Sequence, residues 1–184
     1  MSKVLVPLAQ GCEELEAVTI IDLLVRAGCD VVTASLTEDR LITASRGVQL
    51  MAQTTLEAVY QQTFDMVVLP GGLPGASHLQ KDARIIQLLQ TTAEQGGYVA
   101  AICAAPKVLV QAGLLNGKQA TSFPGIIDKN PAENMRYLNQ AVVEDGNIIT
   151  SKGPGTAMDF TLTLIARLMG ESKRAEVESS LQRG

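Results

Sequence analysis

Short apolar runs alternate along this chain with longer stretches of helical periodicity. Val4–Leu8 reads as a first strand, although Pro7 inside it cannot donate to a sheet ladder. Glu13–Arg26 reads as a helix whose apolar positions (Leu15, Val18, Ile20, Ile21, Leu23, Leu24, Val25) run almost all the way round. A helix apolar on every side is covered on more than one side, so one face is expected to meet a sheet and another a second subunit. Asp22 and Arg26 stand at i,i+4 and can pair, and Gly28 ends the helix as a C′ residue. Asp30–Leu36, rich in Val and Thr, reads as the next strand. Ile42–Ala44 and Val48–Met51 form a small hairpin about Ser45-Arg46-Gly47, and Leu56–Tyr60 a short helix. Asp65–Leu69 is a buried strand stopped by Pro70-Gly71-Gly72, and Lys81–Gln95 a helix. Tyr98–Ile102 is a strand leading into Cys103, after which Ala104-Ala105-Pro106 opens a helix to about Ala112. Lys118–Ser122 is a strand, and Ala141–Ser151 a hairpin turning at Asp145-Gly146. Gly153-Pro154-Gly155-Thr156 opens a helix reaching Met169, and a last, more polar helix spans Glu171 to about Gln182.

Strands alternating with helices predict an α/β, doubly wound, mostly parallel sheet with helices on both faces. At 184 residues, with no repeat or linker, one domain over residues 1–184 is expected. Aromatic residues make up only 3% and Trp is absent, so the core must be aliphatic, as suits buried parallel strands.

The formal charge is −4 and no Lys/Arg cluster stands out, so strong nucleic-acid binding is not expected. No apolar run is long enough to span a membrane, and Met-Ser-Lys leads straight into a strand without a signal peptide. These features predict a cytoplasmic protein. Cys12, Cys29 and Cys103 follow no metal-ligand spacing, and His78 is the single histidine. A metal site is therefore not expected, nor is any cofactor. His78 is expected at the surface, and Cys29 in packing.

Ligands of open α/β sheets bind beyond the carboxyl ends of the strands. Three such ends carry chemistry: Gly11-Cys12-Glu13-Glu14-Leu15-Glu16, Pro70-Gly71-Gly72, and Cys103. If their strands are parallel neighbours, the three segments converge. Cys103, flanked by Ala100, Ala101, Ala104 and Ala105, sits where small neighbours permit a strained turn that lifts a nucleophile above the sheet. The N–H groups of the following helix are expected to lower its thiol pKa and, with Gly71 or Gly72, to hold an oxyanion. Glu13 and Glu14 read as complements of the helix dipole. Glu16 faces the same crevice, where two anions cannot both ionise cheaply. A protonated Glu16 would hydrogen-bond the sulfur or shuttle a proton.

Gly-Cys-Glu-Glu-Leu-Glu (11–16), Val-Leu-Pro-Gly-Gly (68–72), Ala-Ala-Ile-Cys-Ala-Ala-Pro (100–106) and Ser-Lys-Gly-Pro-Gly-Thr (151–156), in this order, resemble the ThiJ/PfpI superfamily, most closely its DJ-one/YajL branch. The resemblance covers nearly the whole chain. It implies a flavodoxin-like sheet, a homodimer, and an oxidation-prone cysteine at Cys103 contacted by Glu16. It places oxyanion-type backbone donors at Gly72 and Ala104, and a dimer-side arginine near the site at Arg46. Gly71 and Phe123 would line the binding region. Implied activities are glyoxalase-like conversion of methylglyoxal to lactate, deglycation of glycated molecules, and chaperone or oxidative-stress protection. One departure matters: many superfamily members carry a histidine on the loop matching Thr121-Ser122-Phe123-Pro124, where this chain has Phe123, and Ala104 replaces the histidine that follows the nucleophile in protease-like relatives. Without a Cys-His dyad, proteolysis is not expected.

Three functions remain open at this stage. One is a cysteine enzyme acting on small reactive carbonyl compounds. Another is a redox sensor or redox-regulated chaperone oxidised at Cys103. The third is a binding module with an inert cysteine.

Overall fold

The computed structural model describes residues 1–183, so Gly184, the last residue of the expected domain, lies outside the described residues. In chain order the elements are β1 (Lys3–Leu8), α1 (Glu14–Arg26), β2 (Asp30–Ser35), β3 (Leu41–Thr43), β4 (Gln49–Met51), β5 (Thr54–Thr55), α2 (Leu56–Val59), β6 (Met66–Leu69), α3 (Gly75–Lys81) and α4 (Ala83–Glu94). There follow β7 (Tyr98–Ile102), α5 (Pro106–Gln111), β8 (Gln119–Ala120), β9 (Arg136–Tyr137), β10 (Val142–Asp145), β11 (Ile148–Ser151), α6 (Ala157–Met169) and α7 (Glu171–Ser180).

Seven strands form the central sheet in the order β10-β11-β7-β6-β1-β2-β5. All neighbours are parallel except β10, which pairs antiparallel with β11 at the edge. The alternation of side chains along each strand feeds two cores. Val4, Val6, Leu8, Val68, Ala100 and Ile102 pack under α1 and α6, while Leu5, Val67, Leu69, Val99 and Ala101 pack under α4 and α5. The chain builds outward from β1 to β2 and β5, then returns to β6 and continues through β7. The crevice at which the winding reverses therefore lies between β1 and β6. The β1–β6 register covers only Val4 and Leu5, and this ladder stops two residues short of Pro7, which has no N–H to extend it.

Several elements differ from the sequence-based expectation. The helix expected over Lys81–Gln95 is present as α4, starting two residues later because Asp82, with extended backbone, caps it by accepting the Arg84 N–H at 3.0 Å. The segment after the Pro70-Gly71-Gly72 loop, which shows no helical pattern of its own, forms α3. Lys118–Ser122 yields only two strand residues, which pair with β9, an element with no apolar pattern of its own. The hairpins, the Asp22–Arg26 pair at 2.7 Å, and an exposed His78 match expectation. On α1, Ala17, Ile20, Leu23 and Leu24 are buried, while Leu15, Val18 and Val25 stand about half exposed. No helix among the described residues is long and apolar enough to cross a membrane.

Candidate active site

The carboxyl ends of β1, β6 and β7 are adjacent, so the three motif segments meet at the crevice. Cys103 immediately follows β7 with φ +64°, a left-handed conformation that costs an L-residue about 1–2 kcal/mol. Two hydrogen bonds hold it there: its N–H donates to the Ser151 carbonyl at 3.0 Å, and its own carbonyl accepts from the Phe123 N–H at 2.8 Å. The strained turn expected from the alanine-rich flanks is thus present, braced by two loops distant in sequence.

Glu16 lies in the first turn of α1 and is fully buried. Its Oε2 accepts the Gly71 N–H at 2.8 Å. Its Oε1 has no hydrogen-bond partner among the described residues, although the Cys103 thiol is close enough to influence the carboxyl. Burying a carboxyl oxygen away from solvent disfavours its charged form. Burial accordingly pushes Glu16 up from an ordinary 4.5 to about 7, against the lowering effect of the Gly71 N–H and the neighbouring thiol.

Gly71 and Gly72 differ in what they contribute. A Cβ on Gly71 would stand 2.6 Å from the Cys103 Cβ and 2.8 Å from Glu16 Oε2, so only glycine lets carboxyl and thiol approach. Its N–H is committed to Glu16, which removes Gly71 as an oxyanion donor. Gly72, at φ +86°, packs backbone to backbone against the β1–α1 turn, where a Cβ would meet the Glu13 nitrogen at 2.4 Å. This conformation leaves the Gly72 N–H beside the Cys103 sulfur, together with that of Ala104.

The expected lowering of the thiol pKa does not hold. Burial first, then the facing Glu16, pushes the Cys103 thiol up to about 12, and the Gly72 and Ala104 N–H groups only partly oppose this. The reason is geometric. The helix after Cys103 begins only at Pro106 and is six residues long, so little helix dipole reaches the sulfur. Two N–H donors do not offset lost hydration plus a carboxylate neighbour. With both groups raised, the pair retains a proton through the neutral range.

Around this pair lies a pocket of about 270 Å³ whose lining includes the polar Glu13, Ser45 and Arg46 and the apolar Leu73, Phe123, Ile126 and Pro154. Glu13 is more than a dipole complement: it is the N-cap of α1, with Oε2 accepting the Glu16 N–H at 2.8 Å. Glu14 instead clamps the β3–β4 turn, accepting from Ser45 Oγ at 2.9 Å and from the Arg46 N–H at 2.8 Å. That clamp sets Arg46 at the rim, exposed, and outside every ion pair found among the described residues. Leu73 and Ile126 carried no sequence signal, because an apolar residue in a loop is not distinguishable from ordinary packing. Cys12 is fully buried, and burial followed by Glu14 pushes its thiol up to about 12. Among the described residues no three His, Cys, Asp or Glu side chains are grouped to hold a metal ion.

Residues 2–167 match the family described as DJ-1/PfpI. The chain belongs to this family. It is 43% identical over 183 residues to protein dj-1beta of Drosophila melanogaster, covering 98% of this chain and 97% of that one. It is 38% identical over 179 residues to DJ-1 homolog B of Arabidopsis thaliana, covering 97% of this chain and 40% of that longer protein. Similarity to the glutathione-independent glyoxalase DJR-1.2 of Caenorhabditis elegans is 35% over 164 residues, covering 89% and 87% of the two chains. The solved structure of oxidized Toxoplasma gondii DJ-1 superposes with a TM-score of 0.94 at 41% identity, over 98% of each chain. The flavodoxin-like sheet with helices on both faces is thereby the DJ-1 architecture.

Proposed function

We propose that this DJ-1/PfpI family protein acts on small 2-oxoaldehydes of the methylglyoxal class, with Cys103 as nucleophile and Glu16 as the group that moves protons. The observation that carries this reading is the buried Glu16–Cys103 pair, raised together and facing two backbone N–H donors. The singly protonated pair has two tautomers, carboxylate with thiol and carboxylic acid with thiolate. In the second, the sulfur adds to the aldehyde carbon, and the carbonyl π pair moves to oxygen beside the Gly72 and Ala104 N–H groups. Glu16 supplies the proton that completes the hemithioacetal. As carboxylate it then takes the C1 proton and returns one to C2, leaving a Cys103 thioester that water cleaves to the 2-hydroxy acid. The steps are redox neutral and consume one water. The name of the C. elegans relative supports the substrate class. Proteolysis is disfavoured because no imidazole is placed to protonate an amine leaving group.

A redox role at the same cysteine is a second reading. The Gly72 and Ala104 donors and a protonated Glu16 would also hold a cysteine sulfinate, and the relative from T. gondii is described as oxidized. One experiment separates the two. Purified protein is given methylglyoxal and lactate is followed by NMR, with peroxide-treated protein mapped by mass spectrometry. Wild type should release lactate, and Cys103→Ala should lose at least about a thousandfold in rate. Lactate release by Cys103→Ala at the wild-type rate rejects the enzymatic reading. Peroxide oxidation falling on Cys12 or Cys29 in place of Cys103 rejects the redox one.

We also infer a homodimer that buries the half-exposed Leu15, Val18 and Val25 of α1 with Val48 and Met51 of the neighbouring hairpin, which would set Arg46 at the subunit boundary. Sedimentation should show two copies for wild type and one for Val18→Lys. A monomeric wild type at micromolar concentration ends this inference. Cytoplasmic location belongs to the same reading, and fractionation of cells with an antibody tests it.

A further inference from the structure

The pocket over Cys103 has two kinds of lining. The Gly72 and Ala104 N–H groups lie beside the sulfur, and Glu13, Ser45 and Arg46 are the polar side chains. The apolar wall is made by Leu73, Phe123, Ile126 and Pro154. Leu73 and Phe123 are 54% and 48% exposed, so both present apolar surface that a bound ligand would remove from water. The Phe123 ring is not loose. Its Cδ2 would stand 3.3 Å from a Cβ on Gly153, so the ring lies directly over that glycine in the Gly-Pro-Gly turn. The backbone of Phe123 is tied to the Cys103 carbonyl at 2.8 Å, and the Ile126 N–H closes the 123–126 turn on the Phe123 carbonyl at 3.2 Å. Leu73 lines the same pocket from the β6–α3 loop, directly after the donor Gly72. The apolar wall is therefore held in register with the nucleophile.

At about 270 Å³ the pocket is close to the roughly 300 Å³ at which small-molecule sites begin. A three-carbon aldehyde bonded to Cys103 leaves most of that wall uncovered. We propose that the pocket selects 2-oxoaldehydes bearing an extended alkyl substituent, with Phe123 and Leu73 as the specificity-determining residues. This rests on the enzymatic reading above and names its substrate class. The reacting carbon sits at the Cys103 sulfur, its oxygen at the Gly72 and Ala104 N–H groups, and the alkyl chain against Leu73, Phe123, Ile126 and Pro154. Arg46, in the lining of the same pocket, supplies a cationic side chain that would attract the carboxylate of the 2-hydroxy acid product. The bond changes are those already given and are the same for every alkyl group. The preference comes only from apolar surface removed from water.

The test compares kcat/KM for methylglyoxal with that for a 2-oxoaldehyde carrying a branched four-carbon chain, two substrates of similar carbonyl reactivity. Wild type should favour the longer chain by about tenfold. Phe123→Ser and, separately, Leu73→Ser should each bring the ratio to within about twofold of one. Turnover of methylglyoxal with no preference in wild type overturns the proposal and leaves the enzymatic reading standing. So does an equal loss of both rates in the two variants, because the ratio would then survive. Turnover of neither substrate by wild type removes the enzymatic reading and this preference with it.

Discussion

The two ends of the sheet make a useful contrast. At the amino ends of the strands, polar groups serve one another. Asp65 Oδ2 accepts the Lys3 N–H at 2.7 Å, and Asn147 Nδ2 donates to the Ala93 and Gly97 carbonyls at 3.1 and 2.8 Å. Cys29 sits at this end, with burial and then Asp65 raising its thiol. At the carboxyl ends the arrangement is incomplete. The two buried side-chain oxygens without a partner among the described residues, Glu16 Oε1 and Thr121 Oγ1, are both there. So are the left-handed Cys103 and the Arg46 guanidinium at the rim. Buried cysteines thus occur at both ends, and burial raises Cys12, Cys29 and Cys103 alike. Cys103 differs in pairing with a carboxyl that is itself raised, Glu16, and in having the Gly72 and Ala104 N–H groups beside its sulfur. Chemistry follows from what the protein leaves unsatisfied, not from the presence of a thiol.

The contrast breaks most sharply at Glu16. Glu16→Gln should lower the rate of carbonyl consumption by about a hundredfold or more, while a Cys29→Ala control stays near wild type. In wild type the rate should rise with pH through about 7, where the pair loses its first proton. The stability sign is the opposite. Unfolded Glu16 ionises near 4.5 and the folded group near 7, so the folded state binds the extra proton between those values. Stability therefore falls as pH rises through that window, by at most about 3 kcal/mol. Glu16→Gln should remove that fall, read from urea midpoints at pH 4.5 and 8. A pH-independent wild type would show that Glu16 is not buried in its charged form at neutral pH.

A smaller effect is expected at Gly71. Gly71→Ala forces a methyl within 2.6 Å of the Cys103 Cβ, costing about 1–3 kcal/mol and at least about tenfold in rate by separating carboxyl and thiol. The smallest belongs to Gly28 at the amino end. It has φ +84° with open space around it, so Gly28→Ala should cost about 1 kcal/mol with no change in rate. Equal activity losses for the two alanine variants, measured beside their unfolding midpoints, would erase the distinction between the ends.

Much of the fold was legible because parallel strands buried on both faces write continuous apolar runs, as in Met66–Leu69 and Tyr98–Ile102. The two-residue β5 and β9 wrote nothing, since pairs so short are held by their neighbours, and β8 is shorter than the Lys118–Ser122 run that announced it. Asp82 shifted the start of α4 by two residues because an N-cap aspartate looks like any polar residue on an exposed helix face. In the site, the motifs marked Cys103, Glu16, Gly72 and Ala104, and the structure brings all four together. The assignment of Gly71 changed because its N–H turns to Glu16, which depends on the approach of α1 to the β6 loop.

The sequence by itself determined the order of the longer strands and helices, the family, and the placing of a cysteine at a strand-to-helix turn, because these rest on periodicity and on contiguous motifs. Only the tertiary structure decided the state of that cysteine. Loss of water around Cys103 and Glu16, the direction of the Gly71 and Gly72 N–H groups, and the apolar wall of Leu73 and Phe123 all arise from segments distant in the chain. A raised pair sharing a proton is therefore a property of packing. It reversed the expectation, drawn from the turn alone, of a thiol lowered by its own helix.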